Sequence, residues 1–132
     1  MTRINADIDP VTLHRRHLVA ELREITMVPA ALKRALRTKT KDAILKSIPE
    51  KFTLNTGHVR FFYDKQSFLK GRFCKLVGGM QRRGYLPDTL RFTSFVGFDD
   101  EFNKEWKAGA DDNLLVQKRI NERIAQKPHL YT

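Results

Sequence analysis

The sequence predicts a mostly α-helical single domain of about three main helices. Its 132 residues suit one domain that can bury a hydrophobic core without disulfides or metal ions. Apolar residues recur at helical spacing in three long stretches, which begin near residues 10, 64 and 112. No internal repeat, low-complexity tract or linker divides the chain. We therefore expect one domain over residues 1–132.

The first helical stretch reads DPVTLHRRHLVAELREI. Asp9 is a suitable N-cap, and Pro10 follows it at the first helical position, where proline is favoured. The residues expected to face the core are Val11, Leu18, Leu22 and Ile25. The residues expected on the opposite face are Arg16, His17, Ala20, Arg23 and Glu24.

That opposite face carries one acid, Glu24, among cations. Mixed charges are ordinary on a solvated helix face, and this is the simplest interpretation. A lone carboxylate would nevertheless repel the phosphates of a polyanion, unless the carboxylate has another role. Proton transfer is such a role.

The middle of the chain contains a second short helical pattern and then the longest one. Pro29 can open the helix AALKRALR, which gives way to the basic connector TKTKDAILKSIPEK. The longest pattern runs from about Asp64 to Arg83 and stops at Gly84. Its predicted buried residues are Leu69, Phe73, Leu76 and Met80. Gly78 and Gly79 inside it predict close packing against another element.

The last third of the chain begins without helical period. Residues 87–106 show no such pattern, and TLRFTSF within them alternates as an extended segment does. A last helix is predicted from about Asp112 to Gln126, with Arg119 and Arg123 one turn apart. Its inward residues are expected to be Val116, Ile120 and Ile124.

The charge balance predicts a polyanionic partner. Lys and Arg total 25 against 15 Asp and Glu, a formal charge of +10. Nucleic acid is the first candidate, and an anionic membrane surface is the second. No apolar stretch reaches the length of a membrane span or a signal peptide, so an intracellular protein is expected. Cys74 is the one cysteine, so no intramolecular disulfide is possible, and we expect it in the core or a groove.

Familiar cofactor and metal motifs are absent from the sequence. His14 and His17 share a helix face, but without cysteines or paired carboxylates they make a poor metal site. There is no glycine-rich phosphate loop, no GxSxG turn and no zinc-deaminase pattern. We expect neither a cofactor nor a metal.

The amino terminus offers one unusual nucleophile. Thr2 is small, so aminopeptidases would remove Met1 and expose the Thr2 α-amine. An α-amine titrates near pH 7.7 to 8.0, roughly 2.5 pH units below a lysine side chain, and is therefore partly neutral and nucleophilic at pH 7. Many proteins have a small second residue without chemical consequence, so the rest of the chain must supply the context.

Four blocks of the sequence resemble one known family. The start MTRIN, the stretch HLVAELREI, the block GHVRFFYDK and the near-terminal RINERIAQKP occur in that family's order and spacing. The family is that of the phage pyrimidine-dimer DNA glycosylases known as endonuclease V, which act in UV-damage repair. The resemblance implies a compact, mostly α-helical domain whose helices are joined by long irregular segments.

The resemblance also implies an activity and its residues. It implies a bifunctional base-excision enzyme that cuts the glycosidic bond of a cyclobutane pyrimidine dimer and then acts as an abasic-site lyase. The family's nucleophile matches Thr2, which forms a Schiff base, and its catalytic carboxylate matches Glu24. The residues expected to bind DNA are Arg3, Arg16, His17, Arg23, Arg119, Arg123, Lys127 and Tyr131. The implied partner is duplex DNA with UV lesions, bound by a monomer in the cytoplasm of a phage-infected bacterium.

Several positions depart from the family pattern. Met27 stands where the family commonly has Arg, Arg16 where it has Gln, and Leu130 where it has Trp beside the Tyr that matches Tyr131. The aromatic tail is shorter and ends HLYT. Because stacking aromatics select unstacked bases, a different modified base remains a candidate substrate. A basic nucleic-acid-binding protein without enzymatic activity is the second hypothesis, since charge and size suit it equally.

Overall fold

The computed structural model describes residues 3–131, which fold into helices joined by irregular segments. Its α-helices are α1 (Arg15–Glu24), α2 (Met27–Thr38), α3 (Lys41–Lys46), α4 (His58–Phe61), α5 (Gln66–Arg82) and α6 (Ala110–Gln126). Short 3-10 helices span Pro10–Thr12, Leu90–Phe95, Asp100–Phe102 and Pro128–Tyr131. Within residues 3–131 the β pairing is one isolated bridge between Lys65 and Asn103. The predicted mostly α-helical fold is confirmed.

Helix α5 runs through the core and packs against α1. Its predicted apolar residues Leu69, Phe73, Leu76 and Met80 are all buried. A Cβ atom added to Gly79 would lie 3.1 Å from Pro10 Cβ and 3.5 Å from the Leu18 side chain. The close packing predicted for the glycine pair is therefore confirmed at Gly79, whereas Gly78 faces open space.

Aromatic rings fill the space on the other side of α5. Their centroids lie 5.0 to 6.1 Å apart, and they belong to Phe52, Phe61, Phe62, Phe68 and Trp106. The buried ring of His58 joins this cluster, 5.3 Å from Phe62 and 5.6 Å from Phe52, and meets both edge-on. Packing from two directions fixes the plane of the His58 ring.

The N-terminal segment, residues 3–8, lies inside the fold. Ile4 and Ala6 are completely buried, and the backbone of Ala6 has a φ of +51°. The Arg72 guanidinium of α5 donates to the carbonyl oxygen of Ile8 at 2.6 Å. Asp7 ties the segment to the start of α6, because Asn113 Oδ1 accepts from its N–H and its carboxylate accepts from the N–H of Ala108.

The first predicted helix is divided in two. Asp9 caps only the 3-10 helix Pro10–Thr12, and the His14 side chain accepts from the Arg16 N–H to cap α1. Extended backbone at Leu13 and His14 separates the two elements. The prediction that Val11 faces the core is therefore wrong, and its side chain is exposed.

The predictions for the irregular segments also need correction. The basic connector contains α3, whose first turn is capped by the Thr40 hydroxyl, and α2 begins at Met27 rather than at Pro29. TLRFTSF is not extended, because residues 90–95 form a 3-10 helix that buries Phe95. Of the two places expected for Cys74, the groove is correct, because this residue of α5 is exposed and lines a surface groove. No helix within residues 3–131 is long and apolar enough to span a bilayer.

Candidate active site

A basic cleft lies where the polar face of α1 meets α6 and the N-terminal segment. Its lining consists of Arg3, Asn5, His17, Ala20, Glu21, Glu24, Arg119, Ile120 and Arg123. Five of the residues predicted for the site thus come together, namely Arg3, His17, Glu24, Arg119 and Arg123. The small side chain of Ala20 leaves room between them, as its place on the helix face predicted.

Glu24 contacts the main chain at the start of the described residues. Its Oε1 atom accepts the backbone N–H of Arg3 at 3.1 Å, and its side chain is partly exposed in the basic cleft. The other predicted catalytic residue, Thr2, lies outside residues 3–131. The structure therefore brings the candidate acid to the peptide nitrogen that directly follows Thr2 in the sequence.

Three arginines concentrate positive charge in the cleft. Burial, followed by repulsion from Arg3 and Arg123, lowers the pKa of Arg119 to about 10. Burial and the charge of Arg123 also lower the pKa of Arg3. The buried Nε atoms of Arg3 and Arg123 have no hydrogen-bond partner among residues 3–131. Converging cations with unused donors match an anionic ligand.

A wider cavity of about 460 Å³ adjoins the cleft. It shares Arg3, Arg119 and Arg123 with the cleft, and its other lining residues are Phe52, Thr53, Leu54, Asn55, Leu115, Lys118 and Glu122. Cations at its edge and apolar side chains within it suit a group that carries both a phosphate and a flat ring.

The C-terminal 3-10 helix, Pro128–Tyr131, packs against α1. The hydroxyl of Tyr131 lies 3.0 Å from His17 Nε2, and its ring meets the His14 ring edge-on at 4.9 Å. Burial, His14 and the nearby arginines lower the pKa of His17. The imidazole of His17 is consequently neutral near pH 7 and bonds to Tyr131 without a charge.

The remaining predicted DNA contacts lie around the cleft rather than in it. Arg16 and Arg23 are exposed on α1 and line a groove that shares Ala20 with the cleft. Lys127 is exposed at the C-cap of α6. Arg16 Nε donates to the carbonyl oxygen of Leu130 at 2.7 Å, so two departures from the family pattern contact each other. A third departure, Met27, is exposed at the start of α2.

A family model described as pyrimidine dimer DNA glycosylase matches residues 1–93 of the 132. The chain belongs to this family. Membership makes DNA the substrate class and dimer glycosylase the family function. The matched region includes Arg3, His17, Arg23 and Glu24. Arg119, Arg123, Lys127 and Tyr131 lie beyond the match, and Arg119 and Arg123 join the site through the geometry of the cleft.

Sequence reasoning missed a buried ion pair beside the basic cleft. Glu21 is 1% exposed and receives both Nε and Nη2 of Arg72, at 2.8 and 2.9 Å. The Asn5 side-chain amide donates to the same carboxylate at 2.9 Å. On a helical wheel Glu21 lies about 40° from both His17 and Ile25, at the border of the polar and apolar faces. That border position was the available signal.

A buried histidine was also missed. His58 Nε2 accepts the backbone N–H of Ile4 at 2.9 Å, and His58 Nδ1 lies 2.7 Å from the carbonyl oxygen of Thr53. The amide and the carbonyl together fix the tautomer with the proton on Nδ1. Its block GHVRFFYDK carried the family resemblance, but a contact across 54 residues leaves no local sequence signal.

The cleft thus combines a carboxylate, three arginines and the well-held segment of residues 3–8. Within residues 3–131 no cluster of three or more His, Cys, Asp or Glu could hold a metal ion. The side chains in the cleft can bind phosphate, stabilise positive charge on a sugar through Glu24, and move a proton to or from it.

Proposed function

We propose that this chain is a bifunctional enzyme, a pyrimidine-dimer DNA glycosylase that also cleaves abasic sites as a lyase. Its nucleophile is the α-amine of Thr2, and Glu24 is its catalytic carboxylate. The observation that carries the proposal is the 3.1 Å hydrogen bond from the Arg3 N–H to Glu24 within a cleft of three arginines.

Covalent geometry supports the pairing of the amine with Glu24. Three bonds separate the Thr2 α-nitrogen from the Arg3 nitrogen, so bond lengths alone keep the two atoms within about 4 Å. The proposal requires removal of Met1, because a peptide nitrogen is not nucleophilic. Neighbouring cations favour the neutral form of an amine, and an α-amine needs only a small shift to be neutral at pH 7.

The first step replaces the base by the amine. The nitrogen lone pair forms a bond to C1′ of the deoxyribose, and the glycosidic bond breaks with its electrons leaving on the base, which takes a proton. The negative charge of Glu24 stabilises the positive charge that develops on the sugar. Loss of the amine proton and opening of the sugar ring at O4′ then give an iminium, which is the Schiff base.

The second step cuts the strand. The iminium acidifies the C2′ proton, and Glu24 assists its removal. The electron pair forms the C2′–C3′ double bond and expels the 3′ phosphate, after which water hydrolyses the imine and frees the amine. Neither step requires a metal ion.

The cations around the cleft account for DNA binding in this proposal. Arg3, Arg119 and Arg123 contact phosphates next to the lesion, and the exposed Arg16, Arg23 and Lys127 contact the flanking backbone. Such contacts give salt-dependent affinity with no sequence preference. His17 and Tyr131 form the edge of the surface that faces the lesion, and the adjoining cavity has the size and lining for a nucleotide displaced from the duplex.

Borohydride trapping tests the proposal. Protein shown to begin at Thr2 is incubated with UV-irradiated, unirradiated and abasic-site duplexes and is then reduced, and any adduct is mapped. We expect an adduct at the N-terminal peptide with UV-irradiated and abasic DNA. Protein that retains Met1 is the matched control and should give none.

The other outcomes separate the alternatives. An adduct with abasic DNA alone would keep the lyase and indicate another modified base as the glycosylase substrate. The absence of any adduct from correctly processed protein would overturn the mechanism and favour a protein that only binds DNA.

A further inference from the structure

Three consecutive backbone amides of the N-terminal segment donate to three different side chains. The N–H of Arg3 donates to Glu24 at 3.1 Å, that of Ile4 to His58 at 2.9 Å, and that of Asn5 to Glu21 at 3.3 Å. Two of the acceptors, Glu21 and Glu24, lie in the C-terminal turn of α1, and the third, His58, begins α4. Because each amide has its own acceptor, the segment can neither slide along its axis nor rotate about it.

Glu24 has a role in the proposed chemistry, and Glu21 balances the charge of buried Arg72. His58, the third acceptor, has neither role. Its ring is 4% exposed and is packed edge-on by Phe52 and Phe62. Its Nδ1–H donates to the Thr53 carbonyl oxygen, which leaves the Nε2 lone pair for Ile4. An apolar ring of the same shape would fill the space equally well, so the packing alone does not explain an imidazole here.

We propose that His58 is a positioning residue for the N-terminal nucleophile. Its Nε2 atom holds the Ile4 amide, and through Ile4 and Arg3 it determines the distance between the Thr2 amine and Glu24. The inference rests on the proposed function, because it assigns His58 to the same amine. His58 acts as a neutral acceptor at Nε2 and contacts neither sugar nor base.

The charged groups around His58 are consistent with a neutral ring. Burial lowers the pKa of His58 below its ordinary value of 6.5, and the charges of Arg119 and Arg3 lower it further, against opposing effects of Thr53 and Glu21. A protonated ring would carry a hydrogen on Nε2 and could not accept from Ile4. The hydrogen bond from the Ile4 amide to His58, the anchor of the segment, therefore persists throughout the neutral pH range.

A matched pair of substitutions separates the two bonds of the ring. In His58→Gln the amide oxygen can take the place of Nε2 and accept from Ile4, whereas in His58→Asn the amide nitrogen can take the place of Nδ1 and donate only to Thr53. We expect His58→Gln to form the trapped adduct with abasic DNA within about threefold of the wild-type single-turnover rate. We expect His58→Asn to be slower by at least about tenfold, since small misplacements of a reacting group are costly.

Two further readouts distinguish positioning from stability. Affinity for an uncleavable duplex should agree among the three proteins within about twofold, because no phosphate contact is lost. Both variants are assayed at a temperature where unfolding curves show them fully folded. Equal trapping rates for folded His58→Asn and His58→Gln, whether fast or slow, would overturn the inference.

Hydrogen exchange at the Ile4 amide tests the anchor without any activity. The amide should exchange faster in His58→Asn than in His58→Gln, and equal exchange would also overturn the inference. If wild-type protein that begins at Thr2 gives no adduct, the proposed function fails, and the exchange result still decides the anchor. If His58→Asn does not fold, the ¹⁵N signals of the wild-type ring decide: a proton on Nε2 would overturn the inference.

Discussion

Two carboxylates one helical turn apart on α1 have opposite surroundings. Glu21 is fully buried, forms an ion pair with Arg72 and accepts a hydrogen bond from the Asn5 amide. Glu24 is partly exposed in the basic cleft and accepts the N–H of Arg3. A carboxylate that already receives a bidentate guanidinium has little capacity left for a substrate, so we assign structure to Glu21 and chemistry to Glu24.

The first prediction compares the two corresponding amides. Glu24→Gln keeps an acceptor for Arg3, so its free energy of unfolding should stay within about 1 kcal/mol of wild type. The rate of strand cleavage at an abasic site should fall by at least about 100-fold, because Gln cannot move a proton. Urea unfolding and a single-turnover cleavage assay measure the two quantities.

Glu21→Gln is the control and should behave in the opposite way. It leaves Arg72 buried beside a neutral group, which should lower the free energy of unfolding by about 3 kcal/mol. Wild-type cleavage by Glu24→Gln would contradict the assignment of Glu24, and unchanged stability of Glu21→Gln would contradict that of Glu21.

The second prediction concerns pH and His58. Since the pKa of folded His58 lies below 6.5, the unfolded chain binds more protons as the pH falls below 6.5. His58 thus lowers the free energy of unfolding as the pH falls from 7 to 5.5, by no more than about 1 kcal/mol, the limit for a folded ring that stays neutral. The loss on acidification should therefore be smaller in His58→Gln than in wild type, as measured by urea unfolding at both pH values. Equal losses in the two proteins would contradict the lowered pKa.

At the scale of elements, the two adjacent glycines of α5 differ in their surroundings. A Cβ at Gly78 would meet nothing within 4 Å, whereas a Cβ at Gly79 would press on Pro10 at 3.1 Å. The third prediction is that Gly78→Ala raises the free energy of unfolding by about 0.5 to 1 kcal/mol through helix propensity. Gly79→Ala should be less stable than Gly78→Ala, because Pro10 must shift away from the new methyl group. Thermal unfolding of the pair checks the order, and equal stabilities would contradict close packing at Gly79.

The elements that sequence reasoning placed correctly are those with several turns of apolar period. The stripes of α5 and α6 could be predicted because burial of Leu69, Phe73, Val116 and Ile120 repeats along one face. Helix α3 has 6 residues and the segment at 90–95 is a 3-10 helix, so neither has enough α-helical turns to show a period. Asp9 and Pro10 are equally good signals for an α-helix and for the 3-10 helix that they begin.

Site residues could be predicted only where they belong to a family motif or share one face of a helix. Glu24, His17 and Ala20 share one face of α1, and that face does line the cleft. The Glu21–Arg72 pair and the His58–Ile4 bond join residues 51 and 54 positions apart. Such contacts depend on how α1, α4 and α5 pack, which local patterns do not encode.

For the whole molecule, the net charge of +10 makes electrostatics the main source of DNA affinity. The fourth prediction is that the logarithm of the affinity for duplex DNA falls linearly with the logarithm of the salt concentration. Arg123→Ala should reduce the magnitude of that slope by about 0.9, the contribution of one phosphate contact. Binding titrations from 50 to about 200 mM salt measure it.

Lys46→Ala is the matched control for this prediction. Lys46 is exposed on α3, which packs against α2 and not on the cleft, so its loss removes the same charge from another surface. The slope for Lys46→Ala should match that of wild type. A similar change in both variants would mean that net charge, not the cleft, governs the affinity.

The burial of the N-terminal segment has a consequence for synthesis. Its partners are made much later, since Ile4 bonds to a residue 54 positions downstream and Asp7 to residues 101 and 106 positions downstream. During translation the first residues lack the later residues that bury the segment, so they remain accessible to an aminopeptidase. Removal of Met1, which the proposed function requires, can therefore take place before the segment is buried, and the contacts of Asp7 with Ala108 and Asn113 form only after the start of α6 has been translated.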